Sequence, residues 1–244
     1  MTTTHFGFRT VDESEKVSLV GEVFRNVASR YDRMNDAMSF GAHRLWKNEF
    51  VKMTGLRAGS KCLDVAGGTG DIAFRLLGKG AGLVTVSDIN PAMLEEGQRR
   101  ADNRNSIQNI EWLCADAENL LIPGNSYHLY TIAFGIRNVT HIDRVLSEAH
   151  RVLMPGGKFM CLEFSHVTHS LFARLYDSYS FNVIPKMGKL IAGDSQPYQY
   201  LVESIRQFPT QEKFKQMIEV AGFASAGYKN LAGGAVAIHW GYKL

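Results

Sequence analysis

From Glu15 to Tyr31 the apolar residues Val17, Val20, Phe24, Val27 and Tyr31 recur every three or four positions, the stripe of an amphipathic helix. A second helix is predicted over 43–53, with Leu45, Trp46 and Phe50 on one side and a stop near Gly55. Beyond it the period changes. Short apolar runs at Cys62–Ala66, Leu83–Ser87 and Ile110–Cys114 alternate with helical stretches at Ile72–Leu77 and Ala92–Ala101. A strand at Leu129–Phe134, a helix over about Asp143–Leu153 and a strand at Gly157–Phe164 continue the series, with Pro155-Gly156-Gly157 punctuating the last junction. That alternation predicts βαβ units in a parallel sheet.

The series breaks at Ser170–Ile184, where Phe172, Leu175, Tyr176, Tyr179 and Val183 form another stripe, followed by the polar stretch Pro185–Pro197. The chain then offers a helix at Gln211–Ala221 capped by Gly222. Two last runs, Phe223–Asn230 and Ala235–Tyr242, suit a closing hairpin.

Composition adds bounds. With 244 residues, 45% hydrophobic and 21% charged, the chain can bury a substantial core as one domain. Its net charge of +3 comes from scattered rather than clustered basic residues, so nucleic acid is not the expected partner. Cys62, Cys114 and Cys161 lack C-x-x-C spacing and sit in apolar stretches, the pattern of buried reduced thiols. No run approaches a membrane span, and Asp12, Glu13, Glu15 and Glu22 argue against a leader segment; a cytoplasmic protein is expected.

The chemistry concentrates at Leu63-Asp64-Val65-Ala66-Gly67-Gly68-Thr69-Gly70-Asp71, a strand ending in a glycine turn that opens a helix. Free backbone N–H groups and the helix dipole converge there and favour negative ligand groups. Gly68, Gly70 and Ala73 also satisfy G-x-G-x-x-A, which admits a nicotinamide-dependent oxidoreductase. Asp64, inside the run just before the glycines, suits a sulfonium amino acid with a free ammonium better than a pyrophosphate. Asp88 ends the next strand, where a carboxylate can accept both ribose hydroxyls. Asp116-Ala117 follows the third strand and can read adenine. The cofactor set is therefore Gly67, Gly68, Thr69, Gly70, Asp88, Asp116 and Ala117, around S-adenosylmethionine as methyl donor, with no metal expected.

The segments Thr4–Phe8, Tyr31–Lys47, Asp64–Asp71, Phe134-Gly135-Ile136-Arg137-Asn138-Val139 and Arg151–Gly157 resemble the ubiquinone/menaquinone biosynthesis C-methyltransferase family over essentially the whole chain. The resemblance implies an α/β class I methyltransferase, Rossmann-like: a seven-stranded, mostly parallel sheet with an antiparallel last strand, N-terminal helices and a helical lid insertion. Within a single methyltransferase domain the expected parts are a helical cap (1–55), a cofactor-binding core (56–165), a lid insertion (166–208) and a C-terminal helix and hairpin (209–244). It carries cofactor contacts onto Thr69, Asp88, Asp116 and Ala117. Ala133 stands where members more often have Ser, removing a hydroxyl near the cofactor.

The implied reaction methylates a ring carbon of a polyprenylated quinol. Ionising a phenol of pKa about 10 near pH 7 costs roughly 4 kcal/mol unless the site stabilises the anion. Arg137, just past a strand end, is assigned to hold the phenolate, Asn138 to orient the ring oxygen, and Tyr31 to reach in from the N-terminal segment. His43 and Glu163 are alternative proton acceptors. The Phe172–Val183 stripe with the N-terminal helices suits a lid over a long apolar pocket, and Lys186 and Lys189 suit peripheral contact with the inner membrane face. A homodimer or biosynthetic complex stays open, as do an O- or N-methyltransferase of another small molecule and a non-catalytic quinone-binding scaffold.

Overall fold

The computed structural model describes residues 2–27, 39, 41–103, 109–168 and 196–244. A hairpin of β1 (Thr3–Phe6) and β2 (Arg9–Asp12) leads into α1 (Glu13–Val27), and α2 (Ala42–Met53) follows. The core then runs β3 (Lys61–Val65), α3 (Asp71–Leu77), β4 (Leu83–Asp88), α4 (Pro91–Asp102), β5 (Ile110–Cys114), β6 (Tyr127–Ala133), a 3-10 turn (Ile136–Asn138), α5 (Ile142–Val152) and β7 (Leu153–Phe164). It closes with α6 (Gln196–Gln207), α7 (Gln211–Val220), β8 (Ala224–Leu231) and β9 (Val236–Tyr242).

The main sheet has seven strands in the order β5-β4-β3-β6-β7-β9-β8. All neighbouring pairs from β5 to β7 are parallel, and β9 inserts antiparallel between β7 and β8. This is the expected class I architecture with its antiparallel last strand. Residue alternation explains why the sheet is covered on both faces. Leu63, Val65, Tyr130, Ile132, Phe159 and Cys161 pack with Val145, Leu146, Ala149 and Val152 of α5. Cys62, Leu129, Met160 and Leu162 turn the other way, against Ile72 and Leu76 of α3 and Phe50 of α2.

Several expectations shift. The N-terminal hairpin is unforeseen, and α1 begins at Glu13 rather than Glu15. The strand expected from Gly157 starts at Leu153. The far end of the supposed lid, read as polar loop, begins α6 at Gln196. Cys62 and Cys161 are buried thiols, but Cys114 is exposed, because its strand forms the sheet edge. Tyr31, the Phe172–Val183 stripe, Lys186 and Lys189 lie outside the described residues. No described helix is long and apolar enough to cross a membrane.

Candidate active site

Strand order reverses between β3 and β6, and an open sheet presents its crevice where this happens, at the carboxyl ends of the strands. The backbone there is unusual. Ala66 after β3 and Phe134 after β6 both have positive φ (48° and 58°), a conformation costly for side chains with a Cβ and characteristic of functional turns. The crevice holds a cavity of about 390 Å³, within the range of small-molecule sites. Gly67, Gly68 and Thr69 form one wall; Asp88, Asp116 and Ala117 form the next. Ala133 and Asn138 line the side beyond β6, and Glu13, Val17 and Gly21 of α1 line the cavity from outside the sheet.

The glycines are required by close approach. Gly67 donates its N–H to the Ser87 carbonyl at 3.1 Å, drawing β3's exit against β4. A Cβ on Gly67 would lie 2.8 Å from both Asp64 Oδ2 and Val86 Cγ1. Gly70 caps α3 in the left-handed region (φ 80°), which turns the chain from strand into helix.

Asp64 faces Thr131 across the β3–β6 register, and the Thr131 hydroxyl donates to Asp64 Oδ1 at 2.7 Å. Its other oxygen is buried without a partner at the cavity wall. Burial pushes the carboxyl up to about 7; the Thr131 hydroxyl opposes this, Asp71 adds to it, and Lys47 opposes it. Lys47 of α2 also lines the cavity and donates to Asp71 at 2.8 Å. A carboxylate short of a donor beside an ammonium with further donors fits an amino-acid zwitterion. Asn90 Nδ2 is a second buried, unpartnered polar atom on the wall. These orphaned groups fit the methionyl and nucleoside parts of S-adenosylmethionine.

Of the expected cofactor residues, Gly67, Gly68, Thr69, Asp88, Asp116 and Ala117 line the cavity, whereas Gly70 does not and serves only the turn into α3. Asp88 already accepts backbone N–H groups from Gly68 and Asn90, each at 2.9 Å, so the glycine turn holds this carboxylate rigidly at the cavity wall. Burial raises its pKa and these donors oppose the rise. Asp116 Oδ1 caps its own loop, accepting from Glu118 N–H at 2.9 Å, while still lining the cavity. The Thr69 hydroxyl accepts from Arg100 Nη1 at 3.0 Å, so Thr69 serves the turn as well as the wall.

Arg137 needs correction. It does not line the cavity: its side chain is only 4% exposed and donates to Glu163 Oε1 and to the Phe134 carbonyl, both at 2.7 Å. A guanidinium so engaged pins the turn rather than holding a phenolate. Glu163 is equally committed, accepting also from Phe164 N–H, and burial raises its pKa against the lowering effect of Arg137. Neither Glu163 nor His43 lines the cavity. Asn138 does, and its Oδ1 accepts from the Tyr200 hydroxyl at 3.0 Å. Lys47, Asn90 and Tyr200 were given no role from sequence; Asn90 alone carried a local signal, as an N-cap before Pro91.

A switch-point crevice with a glycine turn, acids ending successive strands and a buried carboxylate at the cavity wall defines a class I S-adenosylmethionine-dependent methyltransferase. Two solved methyltransferases share the fold, one from Thermotoga maritima (TM-score 0.65, 20% identical, 91% of this chain and 99% of that one) and one from Methanococcus maripaludis (0.64, 18%, 88% and 91%). The chain belongs to the ubiE/COQ5 methyltransferase family, whose profile matches residues 9–243. It is 58% identical to the mitochondrial 2-methoxy-6-polyprenyl-1,4-benzoquinol methylase of Drosophila melanogaster, over 99% of this chain and 85% of that protein. It is 55% identical to the ubiquinone/menaquinone biosynthesis C-methyltransferase UbiE of Zymomonas mobilis, over 98% of each.

Proposed function

We propose that this chain methylates a ring carbon of a polyprenylated quinol, 2-polyprenyl-6-methoxy-1,4-benzoquinol or demethylmenaquinol, in ubiquinone and menaquinone biosynthesis. The observation that carries the reading is the Phe134–Asn138 turn. It brings the Asn138 amide to the cavity wall beyond the cofactor's walls, with the Arg137–Glu163 pair locked behind it. Full-length similarity to enzymes named for this chemistry supports it.

When bound, S-adenosylmethionine supplies an electrophilic methyl on a sulfonium. Asp64 and Lys47 would hold its amino-acid end, and Asp88 and Asp116 its nucleoside. Asn138 holds the ring oxygen of the acceptor and stabilises it as its proton passes to water, which makes the neighbouring ring carbon nucleophilic. Arg137 acts through the turn, fixing where Asn138 stands. The acceptor carbon would take the methyl from the sulfonium, which leaves as the neutral thioether, and the ring would pass its displaced C–H proton to water to regain aromaticity.

The acceptor's prenyl tail favours a bilayer, which supports peripheral membrane association. Flotation with anionic vesicles is expected to carry the protein upward at low salt; retention of all protein in the aqueous fraction would count against it. The reaction is tested with a methyl-labelled donor and each reduced demethylquinol. Label is expected on a ring carbon, and label on oxygen contradicts the reading.

A further inference from the structure

A side-chain amide has a donating and an accepting end, and which of them meets a substrate decides what it stabilises. Asn138 Oδ1 lies 3.0 Å from Tyr200 Oη. A carboxamide oxygen cannot donate, so the tyrosine hydroxyl does. With Oδ1 turned to the tyrosine, we take the amide's other end, Nδ2, a pure donor, as the one that meets a substrate at the cavity Asn138 lines. We propose that Tyr200 is a positioning residue for methyl transfer, fixing the Asn138 amide so that it presents N–H to the acceptor's ring oxygen. The inference rests on the quinol reading above. A donor bonds an oxyanion about twice as strongly as a neutral oxygen, so this polarity favours the ionised quinol; the flipped amide would repel it.

Tyr200 is built for a fixed role. It is 6% exposed, and the Phe6 ring of β1 stacks on it at 4.3 Å and 18°. The Phe8 N–H donates to Glu203 Oε2 at 2.9 Å, one turn along the same helix, so the N-terminal hairpin clamps α6. Gly7 between them has φ +59°, and a Cβ there would run into the Glu203 carboxylate. The Thr4–Phe8 motif, which no cofactor contact uses, thus gains a purpose. Arg137 and Glu163 are the charged groups acting on the Tyr200 hydroxyl, and burial, the larger influence, pushes it up to about 12. The hydroxyl therefore stays protonated, and a donor, throughout the working range.

The test is Tyr200→Phe in the full chain, assayed with S-adenosylmethionine and the reduced demethylquinol. The turnover number is expected to fall about tenfold and the acid limb of its pH profile to move up by about one unit, since one pKa unit is a tenfold change in ionisation. The quinol KM and cofactor Kd should change less than about twofold, because a bond strengthened only as charge develops acts on turnover. Glu203→Gln, which loosens the hairpin while leaving Tyr200 in place, should shift the profile the same way by a smaller step. Ring methylation indifferent to both substitutions overturns the role of Tyr200 and leaves the quinol reading standing. Losses that merely track cofactor affinity and thermal unfolding also overturn it. Absence of ring methylation by the unaltered chain removes both.

Discussion

Asp64 is where burial and binding are set against each other most directly. Its carboxyl titrates near 7 in the folded chain and near 3.9 in an unfolded one, so the folded state holds the extra proton between those values. The resulting stabilisation is complete below about pH 4 and is lost as pH rises through about 7. A cationic ligand group beside Asp64 selects the ionised form. Affinity for S-adenosylmethionine is therefore expected to climb to about pH 7 and then level, with a proton released on binding below that. Asp64→Asn should flatten this dependence, weaken binding about tenfold or more, and stabilise the ligand-free protein above pH 7. Calorimetry in buffers of different ionisation enthalpy reads the proton directly; an unaltered pH dependence in the variant would show that Asp64 does not face the cofactor's charge. The acids at the strand ends were legible because each ends or directly follows a recognisable apolar run. Lys47 was not, because its partner Asp71 lies 24 positions away and only the packing of α2 on α3 joins them. For the same reason the sequence does not show that Arg137 is tied to a buried partner, Glu163, 26 positions on.

At the scale of elements, the β3–α3 turn carries the site. Gly67→Ala forces a Cβ against Asp64 and Val86, with backbone on a third side, so relief requires the strand exit to move. Overpacking of this kind costs roughly 1–3 kcal/mol. A lowered Tm together with weaker cofactor binding is expected in a thermal-shift titration, and a variant that binds as tightly as the parent would show the turn is not read by the ligand. The strands and this turn follow from period, glycine spacing and helix caps, all local signals. Two elements do not. The four-residue strands of the N-terminal hairpin are too short for alternation to show, and they are held by β1–β2 pairing and by α6. In α6 Pro197 reads as a breaker, yet it stands in the first turn, where a missing N–H costs nothing.

Across the whole molecule, the sheet supplies the cavity's floor and α1 supplies a wall from outside it. That wall is latched to the rim: Lys16 Nζ donates to the Val139 carbonyl at 2.8 Å, and Glu13 lies 3.4 Å from His141. Burial lowers the Lys16 pKa, while Glu118 and Glu13 oppose the shift. Lys16→Met should speed cofactor release in stopped-flow displacement without changing where the methyl goes; an unchanged release rate would mean the latch does not gate exchange. Where the methyl goes is what the account stands on. The most direct measurement is the position of label after the purified chain acts on each reduced demethylquinol with a methyl-labelled donor. Label on a ring carbon is the expected result, and label on a quinol oxygen, or none on either quinol, would contradict the account.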